Sequence, residues 1–245
     1  MARNFSSATD GVDCGDIAAM DGVVNLTISF WARRSASSRI VAVSKAAGAN
    51  DRTGLSPWSD GNIYWIICNG SNSYLRQTYS YTNDVWYHYT GWFDGGGVGN
   101  ANRAKVYIDG VFQSPTQFVG TIPATTDTNA ASFIAGIHNS GGSNGDIGEV
   151  KVWGASLTAN EIAQEYYGGN PRSEDLIVYL PLGWGSPEPD LSGNGHNGTL
   201  ANSPTVTDSP PIGPQFGADT GLYEFASAGP VGPPLGSLSL LGTGR

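Results

Sequence analysis

Three kinds of residue in this chain could carry chemistry: paired carboxylates, histidines and a glycine string. Cleaving a glycosidic bond takes two carboxyl groups that flank the bond, and the nearest approaches are Glu161 with Glu165 and the neighbours Glu174 and Asp175. The first pair falls in a helical segment and the second near the start of a loop, so neither is expected to hydrolyse a glycan. His88, His138 and His196 have no partner string such as G-x-S-x-G, so nucleophilic catalysis is not supported. Gly193, Gly195 and Gly198 spell G-x-G-x-x-G, but no helix follows and no acidic residue stands about twenty positions on. They read as turn formers. The N-x-S/T triplets at Asn25, Asn69 and Asn197 are expected by chance in a chain so rich in Ser, Thr and Asn.

The elements that must position any site are strands. With Gly 35, Pro 14, seven Trp and eleven Tyr but only 13% charged residues, the 245-residue chain describes a turn-rich, aromatic-rich sheet protein. A formal charge of −9 excludes nucleic-acid binding by phosphate neutralisation, which needs a clustered basic face. Arg33, Arg34 and Arg39 make a small basic group that reads as a solvated strand edge. No stretch approaches the roughly 18 apolar residues that span a bilayer, so no membrane insertion is expected. The opening MARNFSSATDG lacks an apolar signal core, which sets the expectation that the chain does not leave by the ordinary secretory route.

Period-two alternation puts Leu26, Ile28, Phe30 and Ala32 on one buried face of a strand. Asp60-Gly61 signals a tight turn into 62–68, where Ile63, Trp65 and Ile67 alternate with Tyr64, Ile66 and Cys68, so both faces are expected to be covered. Further strands are expected over 85–93, 104–108, 132–137 and 147–153, with a hairpin turn at Asp109-Gly110 returning through Val111 and Phe112. The one helix is expected over 158–167, with Thr158 and Glu161 at capping-box spacing. The apolar run LIVYLPL at 176–182 is expected to pack back on the same body, since an isolated strand would not stay soluble. Cys14 and Cys68 allow one disulfide at most, which geometry must decide.

The phrases NLTISFWARR, DVWYHYTGWFDG, AKVYIDGV and GDIGEVKVWGASLTANEI, followed by DLSGNGHNGTL, together resemble a laminin-G-like domain. The resemblance runs over about 5–167: Trp86 and Tyr87 start a strand, Tyr107 with Asp109-Gly110 ends one, and Leu157 with Ile162 docks the helix. It implies an all-β, concanavalin A-like jelly-roll β-sandwich with one short helix and an extended Pro/Gly-rich C-terminal tail. The division expected is a head at 1–170, a strand-plus-loop extension at 171–208 packing on it, and a tail at 209–245.

Hydrolytic relatives carry Glu-x-Asp-x-x-Glu on one strand, a string absent here, so the resemblance implies no enzyme. It does imply one structural Ca²⁺, with Asp10, Asp13, Asp146 and Glu149 as candidate ligands, although Gly148 stands where many relatives have an acidic residue. It also implies glycan binding, for which Trp58, Tyr74, Tyr79 and Tyr81 are the candidate stacking faces in polar stretches; Tyr79 and Tyr81 are expected to share one face.

Residues 209–245 bury little by composition, and Phe216, Leu222, Tyr223, Phe225, Leu235, Leu238 and Leu240 are the candidate anchors of an assembly arm. These features favour a protein of a virion surface, a capsid decoration or appendage. Its expected partners are copies of itself or another virion protein through the tail, and surface glycans through the head. A secreted bacterial carbohydrate-binding or adhesion module is the alternative, with a glycan-active enzyme third.

Overall fold

Alternating side chains sort this chain into two sheets with a shared apolar interior. The computed structural model describes residues 1–7, 9–35, 43–136 and 145–212; Arg39 and His138 lie outside them, as do all seven candidate arm anchors. The strands begin with β1 (Ala2–Phe5), β2 (Gly11–Asp16), β3 (Asn25–Arg34), β4 (Val43–Gly48), β5 (Asp51–Pro57), β6 (Asn62–Asn69), β7 (Tyr74–Thr78) and β8 (Trp86–Asp94). After a one-turn helix, α1 (Asn100–Arg103), come β9 (Ala104–Ile108), β10 (Val111–Gln113), β11 (Gln117–Val119), β12 (Ser132–Ala135) and β13 (Gly145–Trp153). Helix α2 (Ala159–Tyr166) precedes β14 (Leu176–Leu180), β15 (Thr199–Ala201) and β16 (Thr205–Thr207).

Sheet A runs β10-β9-β8-β3-β13-β1-β16, with β14 also paired to β13, and sheet B runs β11-β7-β6-β5-β4-β12-β2-β15. Among the described residues each has eight strands, and every pairing is antiparallel. This is the all-β jelly-roll sandwich that the sequence implied. Between the sheets lie Leu26, Ile28, Phe30 and Phe93 from sheet A and Leu55, Ile63, Trp65 and Phe133 from sheet B, all fully buried. Trp65 reaches across the sandwich and donates its indole N–H to the carbonyl of Trp92 at 3.0 Å. Its ring fits because Gly91 has no side chain; a Cβ there would meet Trp65 at 2.7 Å. Losing so large a ring from a packed core costs roughly 3–5 kcal/mol.

The local signals act where expected. Asp109 and Gly110 both take positive φ, 50° and 75°, the twist a two-residue hairpin needs, and β10 returns along β9. Thr158 caps α2 in a complete capping box with Glu161. The LIVYL run is β14, lying along β13 with Val178 opposite Val152, while β15 and β16 pair with β2 and β1.

β13 serves β1 with its first residues and β14 with its last, and its register against β3 shifts between them. Glu149 sits at that shift with φ +55°, its N–H donating to the Pro181 carbonyl at 3.1 Å.

Cys14 and Cys68 are free thiols. They lie on β2 and β6, separated by β12, β4 and β5, a gap of roughly 19 Å at the usual strand spacing, far beyond disulfide reach. Among the described residues no helix is long and apolar enough to cross a membrane.

Candidate functional site

The two sheets differ in what covers their outer faces. On sheet A, α2 lies over Trp153, Tyr107 and Leu176, and Leu157 and Ile162 complete a second apolar cluster. Beneath the helix is a buried polar group. Glu165 of α2 meets Nε2 of His88 and, at 3.2 Å, the ammonium of Lys151. Burial works against the Glu165 charge, but His88 and Lys151 outweigh it and bring its carboxyl down to about 2. Glu149 accepts the Tyr179 hydroxyl at 2.7 Å, while burial raises its pKa. Both glutamates are buried, at 2% and 7% exposure, so they serve the packing of α2 and the β13 bulge rather than a reacting substrate.

On sheet B the outward positions of β5, β6 and β7 form a half-buried aromatic strip. Trp58 closes the turn between β5 and β6, where Gly61 takes φ +77°. Its ring lies 4.6 Å from that of Tyr64, and Tyr64 lies 5.5 Å from Tyr74 in an edge-on arrangement. The Trp58 indole donates to Ser56 Oγ at 2.8 Å. Tyr64 donates its hydroxyl to Asp60 at 2.8 Å, so burial and this hydrogen bond together push the phenol up to about 12. Burial works upward on Asp60 as well, but the bonds from Tyr64 and Asn62 hold its carboxyl below the ordinary range. Arg76 stands directly opposite Tyr64 on the neighbouring strand. Beside the strip is a largely enclosed void of about 10 Å³, room for a single water, lined by Val43, Ser44, Arg52, Thr53, Gly54, Ser56 and Ile66. Gly54 forms its floor, since a Cβ there would stand 2.8 Å from Ser44 Cβ.

Of the four candidate stacking residues, the structure brings Trp58 and Tyr74 together, through Tyr64. Tyr79 does not join them. β7 ends at Thr78, so the alternation expected to put Tyr79 and Tyr81 on one face does not continue. Tyr79 instead packs against the core and edge-on to Tyr87 at 5.8 Å. Tyr81 lies under the Arg34 guanidinium, 3.7 Å from its ring centre, and donates its hydroxyl to the Trp58 carbonyl, so it supports the turn that carries Trp58. Sequence reasoning missed Tyr64 because it treated both faces of β6 as covered. Ile66 and Cys68 are buried, but Tyr64 is not. The signal was its place between two turn-forming stretches, Asp60-Gly61 and Asn69-Gly70.

The four acidic residues proposed as calcium ligands do not fit a shared shell. Asp10 accepts the N–H groups of Ser6 and Ser7, Asp13 that of Gly15, and Glu149 the Tyr179 hydroxyl. Asp146 is paired with Arg33 at 2.7 Å and accepts from Asn4. Among the described residues no three His, Cys, Asp or Glu side chains converge to hold a metal ion. Short-range turn chemistry accounts for Asp10 and Asp13, an ion pair for Asp146 and the Tyr179 hydroxyl for Glu149.

The two antiparallel sheets closed over one core define a jelly-roll sandwich. Residues 6–163 match the laminin-G-type family described as the concanavalin A-like lectin/glucanases superfamily, and the chain belongs to it. No curated protein matches the sequence. Among solved structures, a Bacteroides ovatus protein provisionally named carbohydrate-binding superposes with a TM-score of 0.62 at 19% identity, covering 84% of this chain and 61% of its own. The chain therefore spans about three fifths of that protein. A Ruminococcus gnavus sialidase CBM40 bound to α2,3 sialyllactose gives 0.49 at 12% identity, covering 69% of this chain and 98% of its own. Domains LG4-5 of mouse laminin α1 give 0.48 at 17% identity, covering 65% and 43%. At such identities the first likeness shows the fold alone, and the other two carry no argument.

Proposed function

We propose that this chain is a non-enzymatic glycan-binding module whose binding face is the outer face of sheet B. The observation that carries the reading is the run of three half-buried rings, Trp58, Tyr64 and Tyr74, set beside Arg76. Sugars offer apolar ring faces and hydroxyl edges, and such a strip with polar neighbours suits both. Asp60, the carboxylate beside the rings, is engaged by Tyr64 and Asn62, while Glu149 of sheet A and Glu165 of the helix that covers it are buried. That distribution supports binding without hydrolysis. Calcium has no part in this reading. A glycan array probed with the full chain and with Tyr64→Ala and Tyr74→Ala tests it: retention of a glycan by the parent and its loss in both variants is expected, and retention of no glycan overturns it.

As a finer reading, we propose display of this head on a virion surface, with an extracellular module as the alternative. Its support is the Pro/Gly-rich composition of 209–245 and the spaced apolar residues within it. Light scattering of the full chain beside one ending at 213 tests the arm. A full-length oligomer that becomes monomeric on truncation supports it, and two monomers count against it.

A further inference from the structure

Six of the seven tryptophans stack on a ring or a cation or donate a hydrogen bond. Trp184 does none of these among the described residues, and it is 56% exposed. A lone exposed apolar side chain needs no explanation by itself. This one, however, is held out by a loop that is costly to build.

The loop, Leu182 to Glu188, follows β14 and lies outside the residues that match the family. Leu182 is fully buried with φ +62°, a left-handed conformation unfavourable for a residue with a side chain. Gly183 follows at φ +81°, where a Cβ would stand 2.8 Å from the Ala2 carbonyl oxygen, so only glycine fits. The fully buried carboxylate of Glu188 accepts the N–H of Gly183 at 2.8 Å on one oxygen and that of Trp184 at 3.1 Å on the other. Arg3 pairs with the same carboxylate and donates to the Gly185 carbonyl at 2.6 Å. The backbone on both sides of Trp184 is thereby fixed, by a buried ion pair that offers little stability beyond what apolar packing would give. Strain and buried charge of this kind gather where a group is held in place for use.

What the loop presents is one indole with glycine on either side, so no side chain of its immediate neighbours covers the ring faces. The indole N–H and the exposed Ser186 hydroxyl make no hydrogen bond among the described residues. A protein interface needs a contiguous apolar patch, which Gly183, Gly185 and Ser186 do not supply. A bare ring face beside two free hydrogen-bonding groups suits a single sugar residue, whose C–H face stacks on the indole while its hydroxyls meet the polar groups.

We infer that Trp184 is the platform of a second saccharide site, separate from the strip on sheet B and taking one exposed sugar residue. The loop is tied to β1 by Arg3, and Glu188 pairs with Gly198, which packs on Val12 of β2. The strip begins on β6, four strand spacings from β2, roughly 19 Å, so no single sugar residue reaches both. The module is then bivalent and engages separate sugars of one glycan-bearing surface. The inference takes only its class of ligand from the glycan-binding reading above.

The indole N–H signals in the NMR spectrum of the full, isotope-labelled chain test it, the Trp184 signal being identified by its absence from Trp184→Phe. The probes are the methyl glycosides of glucose, galactose, mannose and N-acetylglucosamine. A saturable shift of that signal with at least one of them, half-complete at about 10 mM or below, is expected and should persist in Tyr64→Ala. Adding Trp184→Ala to that variant, at an exposed position, should leave it folded and abolish the saturation transfer to the glycoside that remains. A Trp184 signal unmoved by all the probes overturns the second site, as does a shift that vanishes in Tyr64→Ala. A signal that moves only with protein concentration assigns the ring to contact between copies and overturns it too. The two readings fail separately. An array whose glycan is lost in Tyr64→Ala, with Trp184 unmoved, leaves the sheet B site standing alone. A shifted Trp184, with an array that loses nothing in Tyr64→Ala, leaves the loop site alone.

Discussion

The ammonium of Lys151 on β13 and the carboxylate of Glu165 on α2 stand 3.2 Å apart with both side chains out of solvent, so the helix is joined to sheet A by charge as well as by Leu157 and Ile162. Removing one partner of such a pair leaves the other charge buried, at a cost of about 3–5 kcal/mol. Glu165→Ala is therefore expected to lower the stability of the head by that order in urea unfolding. A loss within about 0.5 kcal/mol would show that the pair is idle.

The same carboxylate makes stability depend on acid. Its pKa is about 2 in the folded chain, below its usual value of roughly 4.3 when unfolded. A depressed pKa stabilises the fold above the unfolded value, and that contribution, about 3 kcal/mol, is lost as pH falls from roughly 4.3 toward 2. Melting temperature should thus fall more steeply over this range in the parent than in Glu165→Gln. Parallel curves would contradict the assignment.

Arg3 of β1 is the second buried charge whose loss should be felt. Its guanidinium is paired at 2.5 Å with Glu188, which is fully buried, and donates to the carbonyls of Pro204 and Gly185. Arg3→Met should cost about 3–5 kcal/mol and speed hydrogen exchange in β16, which among the described residues pairs only with β1. Unchanged exchange at Thr205–Thr207 would mean that the β1–β16 seam stands without this arginine.

Cys14 should be a slow thiol. Burial first, then the charges of Asp13 and Asp190, push it up to about 12, so thiolate is scarce near neutrality. Alkylation by iodoacetamide at pH 8 should be far slower than that of a free cysteine and should accelerate in denaturant. Two alkylated cysteines per unfolded, unreduced chain are expected; none would mean a disulfide between Cys14 and Cys68.

On the binding face, Tyr64→Ala should weaken glycan binding by about 2 kcal/mol, the scale of an anchoring aromatic residue, with little loss of stability because the ring is half-exposed. Tyr64→Phe keeps the ring, loses only the bond to Asp60 and should retain most of the affinity. A Tyr64→Phe variant as weak as Tyr64→Ala would assign the hydroxyl, not the ring, to the sugar.

Much of this architecture is written in neighbouring residues. Leu26, Ile28, Phe30 and Ala32 alternate as a core strand must, Asp109-Gly110 takes the left-handed twist of a tight hairpin, and Thr158 with Glu161 caps the one substantial helix. Each depends on forces acting within a few residues, so the sequence alone determined them, while the jelly-roll class came from the resemblance of its phrases to laminin-G-like domains. It did not determine which distant positions share a face. Tyr64 joins Trp58 to Tyr74, Asp13 meets Thr199, Cys14 and Cys68 have three strands between them, and four promising carboxylates disperse to separate partners. Alternation tells which side of a strand a residue occupies, but neighbours across a sheet are set by register between strands far apart in the chain. That register is settled only when both sheets close over Trp65 and the rest of their common core.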